Sequence, residues 1–477
     1  MFVAGMMAGL VADATAIAQE LIKPSRMEDL FGPAPAERRG RGRERSEAVD
    51  EETAPATLDA LFGQKDRIPS VELLKSTQAG KGDTRAGNRL TGFYLNELAY
   101  AYRDETHWSK FRNTLELKGS GSGEVKWTLG ARLVYDPIYD LTDHYPNAVR
   151  KDQRLEFKVR EAYIDLTAGD WEFRLGRQHI VWGEMVGLFF ADVVSAKDLR
   201  ELALQEFDLI RIPQWAMRAE YYTGDLHVEG VWIPYMSYDD IGKPGAEFYP
   251  FPVTAGVAIA KERRPVGLGD SAYGLRLSYL QGGWDLAGFY YSANDTAAAF
   301  ERITPALYRP IHERIRQFGG TLGKDLGPLV IKAEAVYTWD KLFSTPGLDV
   351  PRGLISHDIL DTIVGLEWSF PQETRLNVQF YQRWFADEAP PPGLDRNECG
   401  LTMLLSTQAL HPKLETKALI VRSLNRDDSL LQLKASWRLD GNWRIAAGAD
   451  IFMGDSGGLF GRFTNRDRLY TEVRYSF

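Results

Sequence analysis

The chain has 477 residues, of which 57 are Lys or Arg and 66 are Asp or Glu, giving a formal net charge of -9. That balance carries no signature of nucleic-acid binding, and the single cysteine, Cys399, excludes an internal disulfide and a cysteine-rich metal site. A mean hydropathy of -0.31 excludes a bundle of transmembrane helices, though not a barrel, in which only every second residue of a strand meets lipid.

The chain opens MFVAGMMAGLVADATAIAQE. Its apolar stretch runs into Ala16-Ile17-Ala18, a cleavage pattern, so residues 1–18 read as a signal peptide, although Asp13 interrupts them and no basic region precedes. Residues 19–88 are rich in charge, Pro and Ala and read as a mobile periplasmic segment. Within it MEDLFG and LDALFG form a weak repeat. Leu30, Phe31, Leu61 and Phe62 are its candidate docking residues for a periplasmic partner; the alternative is two chance helical turns in a linker.

Residues 89–477 alternate. EVKWTLGARLVY sets Val125, Trp127, Leu129, Ala131 and Leu133 against Lys126, Thr128, Gly130 and Arg132. LLQLKASWRL and WRIAAGADIF repeat the pattern, and the final RLYTEVRYSF ends on Phe477. Tight joints (SGSG, AGD, TGD, QGG, LGP, PQE, ALHP, DGN) alternate with mostly longer connections such as 136–153, 180–213, 235–269 and 340–357. This rhythm predicts an all-β fold: a transmembrane antiparallel up-and-down barrel of about 18 strands. Trp127, Trp171, Trp215, Trp284, Trp437 and Trp443 fall where interfacial girdles form. An even strand count leaves both termini in the periplasm.

Two stretches, RLGRQHIVWGE (174–184) and the C-terminal NWRIAAGADIFMGDSGGLFGRFTNRDRLYTEVRYSF, resemble a porin-like outer-membrane family of unknown function near the alginate-export porins. The resemblance implies an outer-membrane location, contact with its lipids, insertion by the barrel assembly machinery, and an inner-membrane exporter as partner. It also suggests export or shuttling of lipidic or aromatic compounds; together with the lumen charge read below, the expected function is a channel for small anionic, amphipathic or lipidic solutes.

A barrel of about 18 strands is roughly 35 Å across and must be filled. SAKDLRELALQEF (195–207) carries Leu199, Leu202, Ala203 and Phe207 at helical spacing, which predicts a short amphipathic helix in an extracellular loop that folds inward. With Trp182 these residues are the expected constriction. Alternation places Arg160, Glu172, Arg174, Gln178, Arg218 and Arg276 on the lumen side, and Gly176 leaves room for another segment to approach the wall. Basic residues exceed acidic ones on that side, which favours anions; the plainer reading is a network of cross-strand ion pairs. An outer-membrane hydrolase, or a barrel acting through its N-terminal arm, is the alternative. The seven histidines stand in no catalytic motif, His357-Asp358 would face opposite ways on a strand, and no cofactor or metal is expected.

Overall fold

The computed structural model describes residues 87–477 except 124, 184, 186–190, 203, 251–256, 346 and 348. The expected signal peptide and the docking residues Leu30, Phe31, Leu61 and Phe62 lie outside the described residues.

Besides a separate small sheet that joins Ala258–Ile259, Leu307–Ile311 and Ala299–Thr304 in the long connections, eighteen strands form one antiparallel sheet. Its first half is β1 (Asn88–Ala101), β2 (His107–Gly121), β3 (Lys126–Tyr135), β4 (Leu155–Ala168), β5 (Trp171–Gln178), β6 (Gln214–Thr223), β7 (Leu226–Tyr235), β8 (Ala272–Gln281) and β9 (Trp284–Asn294). The second half is β10 (Arg314–Asp325), β11 (Leu329–Ser344), β12 (Leu354–Phe370), β13 (Thr374–Phe385), β14 (Asn397–His411), β15 (Leu414–Ser423), β16 (Asp428–Arg438), β17 (Trp443–Gly454) and β18 (Arg468–Ser476). Each strand pairs with the next, and β18 returns to β1 with Phe93 opposite Ser476 and Ala101 opposite Arg468. Phe477 and Gly92 exchange backbone hydrogen bonds at 2.8 and 2.9 Å. The sheet therefore closes on the last residues of the chain and presents no open edge to lipid.

All eight expected tight joints are present, each of two to four residues. Gly224 and Gly282 sit at φ of +58° and +59°, the left-handed conformation a two-residue hairpin requires. The opposite end carries 102–106, 136–154, 179–213, 236–271, 295–313, 345–353, 386–396, 424–427 and 455–467. Strands β11 and β12 extend further than the sequence suggested, so the expected 340–357 connection shrinks to 345–353.

The period-2 pattern sorts by surface. Leu117, Leu129, Leu133, Leu275, Leu277 and Met403 are exposed on the outer face. Trp127, Trp171, Trp284 and Trp443 begin strands at the tight-turn end and remain exposed, while Trp215 begins β6 at the other end. An apolar band bounded by indole rings is the surface a bilayer demands. Buried residues lie on the inner face, including Ala99, Ile233, Phe289, Val336 and Phe452. An inner face of a barrel is buried only when something fills the lumen.

Candidate functional site

The lumen is filled by the 179–213 connection. Ile180, Trp182, Ala191 and Val194 pack against the inward side chains of β6–β9 and β11, among them Ala216, Val231, Ile233, Phe289, Tyr291 and Val336. Trp182 is 1% exposed. Its ring centroid lies 5.3 Å from that of Phe289 and 5.8 Å from that of Tyr291, and its Nε1–H donates to Glu229 Oε1 at 3.2 Å. Gly274 in β8 makes room: a Cβ there would lie 2.6 Å from the Trp182 ring. Glu334 in β11 accepts the backbone N–H of Met185 at 3.0 Å and of Ala191 at 3.1 Å, satisfying donors that no strand partner meets.

The expected amphipathic helix over 195–207 is not formed. Ser195 Oγ donates to Ile180 O at 2.7 Å instead of capping a helix. Ala196–Lys197 pairs with Arg211–Ile212 as a two-residue ladder. The N–H groups of Asp198 and Leu199 go to Ile210 O and Asp240 O, both at 2.7 Å, and Leu202 takes a left-handed φ of +53°. Donors committed to other segments cannot close i→i−4 helical bonds. Short helices occur instead at Ile138–Leu141, Asn147–Gln153 and Phe207–Ile210. Leu199 and Leu202 are half-buried, Leu202 against the cluster of Phe248, Leu430, Phe452 and Phe463. Phe207 begins the last helical turn, but its side chain lies outside the described residues.

Carboxylates position this segment. Glu201 meets Lys110 Nζ at 2.5 Å, Arg112 Nη2, and both terminal nitrogens of Arg468 at 3.2 Å. Burial pushes the Glu201 carboxyl up, but Arg112, Lys110 and Arg468 outweigh it and hold it well below its usual range. Glu206 lies 3.4 Å from Lys434 and 3.3 Å from both Arg444 and Arg474. Asp198 pairs with Lys158 at 3.0 Å and with Arg200 at 2.6 Å, and Arg200 reaches Glu156 at 2.9 Å. The segment thus spans from an apolar wall on β6–β11 to a charged wall on β15–β18 and β1–β4. On the charged side remains a small polar recess lined by Arg112, Arg132, Lys158, Arg200, Glu97 and Glu156.

The residues expected to line the pore fall on one stretch of wall with differing duties. Arg160 is turned inward by a register shift opposite Gly130/Ala131, is 4% exposed, and donates to Arg211 O at 2.7 Å. Arg174 makes two bonds to Asp165, at 2.6 and 3.2 Å, and lies 4.2 Å over the Tyr163 ring. Arg218 opposes it directly across β5–β6 and pairs with Glu220 at 2.8 Å. Glu172 is exposed, opposite Glu220. Gln178 is fully buried, and its Nε2 donates to Ala216 O at 3.1 Å and Arg174 O at 3.2 Å. Arg276 is 7% exposed and faces Glu229 on β7. Gly176 serves the wall itself: at φ +128° its missing Cβ would lie 2.1 Å from Ala162 O of the adjoining strand, so no separate segment uses that space.

Two groups of metal-ligating type form among the described residues: His107, His144 and Glu247, distant in sequence, at the long-connection end, and Glu220, His227 and Glu229, on the single β6–β7 hairpin, on the wall. Each has protein partners already. Glu247 accepts from Tyr145 Oη at 2.7 Å and lies 3.5 Å from Arg466; Glu220 accepts from Tyr222 Oη at 3.1 Å beside Arg218. His357 does not pair with Asp358; its Nδ1 lies 2.8 Å from Asp387 Oδ2, with the ring against Phe343 and Phe385.

Among solved structures, OccAB3 of Acinetobacter baumannii is similar at 11% identity, covering 82% of this chain and 99% of its own, with a TM-score of 0.48. OmpF of Salmonella typhi, in complex with daunomycin, is similar at 10% identity over 82% and 97%, with a TM-score of 0.43. OmpT of Vibrio cholerae, an outer membrane protein in its trimer form, is similar at 10% identity over 82% and 99%, with a TM-score of 0.39. No curated protein matches the chain. Residues 98–410 match a family described as a protein of unknown function (DUF1302), a span that includes RLGRQHIVWGE and stops short of the C-terminal stretch, and the chain belongs to that family.

Proposed function

We propose that this protein is an outer-membrane channel for small anionic or amphipathic solutes, constricted by its own 179–213 connection. The observation that carries the reading is the two-sided lumen: the inserted segment is anchored by apolar packing around Trp182 on one wall and by carboxylates on a basic wall opposite. Apolar anchoring is non-directional and carries no charge to screen, whereas the partly exposed Glu206 pairs on the opposite wall are exchangeable. A solute with an anionic head and an apolar body matches both surfaces. The long connections are external in this reading, and the kinship with alginate-export porins implied by the sequence fits a basic passage. Deleting residues 195–207 in the full chain is expected to raise single-channel conductance in planar bilayers, because the bare wall encloses far more space than one solute needs. Unchanged conductance would remove the constriction from the account.

The exporter partnership rests on the sequence resemblance and on the MEDLFG and LDALFG motifs. Replacing Phe31 and Phe62 with Ser is expected to abolish solute transport in cells while heat-modifiable migration of the barrel persists. Transport that survives the double change returns the segment to a linker.

A further inference from the structure

The inner face of β15–β18 places like charges directly opposite one another. Lys417 on β15 is the cross-strand partner of Lys434 on β16. Arg438 on β16 faces Arg444 on β17, and Arg444 faces Arg474 on β18. Like charges directly opposite across a sheet are destabilising, and here five basic side chains share four neighbouring strands. Among the described residues, three carboxylates serve these five. Glu415 pairs with Lys417 at 3.2 Å and Glu472 with Lys434 at 2.7 Å. The third is Glu206, and it does not belong to the wall.

Glu206 is also the only carboxylate among the described residues that pairs with Arg444 or Arg474, and it does so at 3.3 Å. Charge-assisted pairs close to roughly 2.7–2.9 Å when their geometry is satisfied, as Arg174–Asp165 does at 2.6 Å. Its side chain is 31% exposed, in contrast with the 6% of Glu201. One partly exposed carboxylate therefore stands among three cations, in closest contact with none of them.

We propose that Lys434, Arg438, Arg444 and Arg474, with Lys417 beside them, form a binding site for a multivalent oxyanion, carboxylate or phosphate, on the passing solute, and that Glu206 occupies this site as an internal stand-in until such a solute displaces it. The proposal rests on the channel reading above and names the chemistry of the group that reading admits. A multivalent anion neutralises several cations at once, which a single glutamate at 3.3 Å does not.

The test measures binding rather than conduction. Full-length protein in detergent is titrated with citrate and, separately, with inorganic phosphate, against sodium chloride of equal ionic strength, following thermal unfolding. Glu206→Gln removes the internal anion while keeping its shape, so citrate affinity is expected to rise about tenfold over wild type, because the competing charge is gone. Adding Arg444→Gln and Arg474→Gln to that variant is expected to abolish the effect. A Glu206→Gln protein that responds to citrate no more than to chloride, or a triple variant that responds as strongly, overturns the site and leaves general screening. For the case in which Glu206→Gln does not fold, limited proteolysis of wild type serves: citrate is expected to speed cleavage within 179–213, and unchanged cleavage refutes displacement. Citrate binding by a barrel that passes no current would keep the site and defeat the channel reading. Enlarged conductance on deleting 195–207 without citrate binding would do the reverse.

Discussion

Glu201 is the side chain through which the inserted segment is most firmly tied to the charged wall, and Glu201→Gln measures that tie. The substitution keeps size and shape and removes one charge from a group 6% exposed among Lys110, Arg112 and Arg468. Breaking a buried pair by removing one partner costs about 3–5 kcal/mol. The cost here is smaller, because the cations keep other partners: Glu97 lies 3.1 Å from Lys110, Asp450 2.7 Å from Arg468, and Asp136 4.0 Å from Arg112. A loss of about 2 kcal/mol in docking free energy raises the undocked population about 30-fold.

That change is read in planar bilayers as the fraction of time a single channel spends in its high-conductance state. The sheet's own hydrogen bonds are untouched, so thermal unfolding of the barrel in detergent should fall little. An unchanged high-conductance fraction together with a large drop in unfolding temperature would refute the reasoning. Glu201 would then be a brace of the closed wall rather than a latch on the inserted segment.

Acid is expected to act through the second carboxylate. Burial raises the Glu206 carboxyl, but Lys434, Arg444 and Arg474 more than offset this and hold it at about 2, below its ordinary 4.5. A folded value below the unfolded one means that its contribution is present above pH 4.5 and is lost as pH falls through about 2; conductance should rise within that window, and a channel that opens as pH rises contradicts the assignment. Topology is tested by single-cysteine labelling of intact cells in a Cys399→Ala background. Asp143, 99% exposed at its side chain, should label fast, and Asp240, 33% exposed and beside Arg200, more slowly. Labelling at Ser122 or Gly282 but not at Asp143 would invert the barrel.

The wall was legible because lipid and lumen impose opposite demands on successive side chains, so Trp127, Leu129 and Leu133 had to face out and Lys126, Thr128 and Arg132 in. The turns were legible because two-residue hairpins need the left-handed conformation that Gly224 and Gly282 supply. The inserted segment was not. Leu199, Leu202, Ala203 and Phe207 do repeat at helical spacing, but the backbone donors of Asp198 and Leu199 are claimed by Ile210 and Asp240. Glu201 and Glu206 answer to wall residues more than two hundred positions away, such as Arg468 and Arg444. No local pattern encodes such a partner.

One signal did mark the filled side of the lumen. In β7 the run Val231-Trp232-Ile233 is apolar without alternation: Trp232 faces out at 42% exposure, while Val231 and Ile233 are buried at 5% and 0%. Phe289-Tyr290-Tyr291 in β9 does the same, with Tyr290 outward and its neighbours buried against Trp182. A strand apolar on both faces is one covered on both faces, so these runs locate where the connection docks.

The two walls also answer oppositely to salt. Screening reaches about 10 Å at 0.1 M and about 3 Å at 1 M, and it acts most on groups that water reaches. Glu206, at 3.3–3.4 Å from its cations and 31% exposed, is therefore more sensitive than Glu201. The Trp182 cluster does not weaken with screening, since apolar association has no charge to screen. Rising salt should loosen the segment first where it crosses β15–β18, then along β1–β4, and leave it attached at β6–β11. A constriction fixed on one side and releasable on the other behaves as a hinged gate, whereas a segment held by ion pairs on every side would leave the lumen altogether.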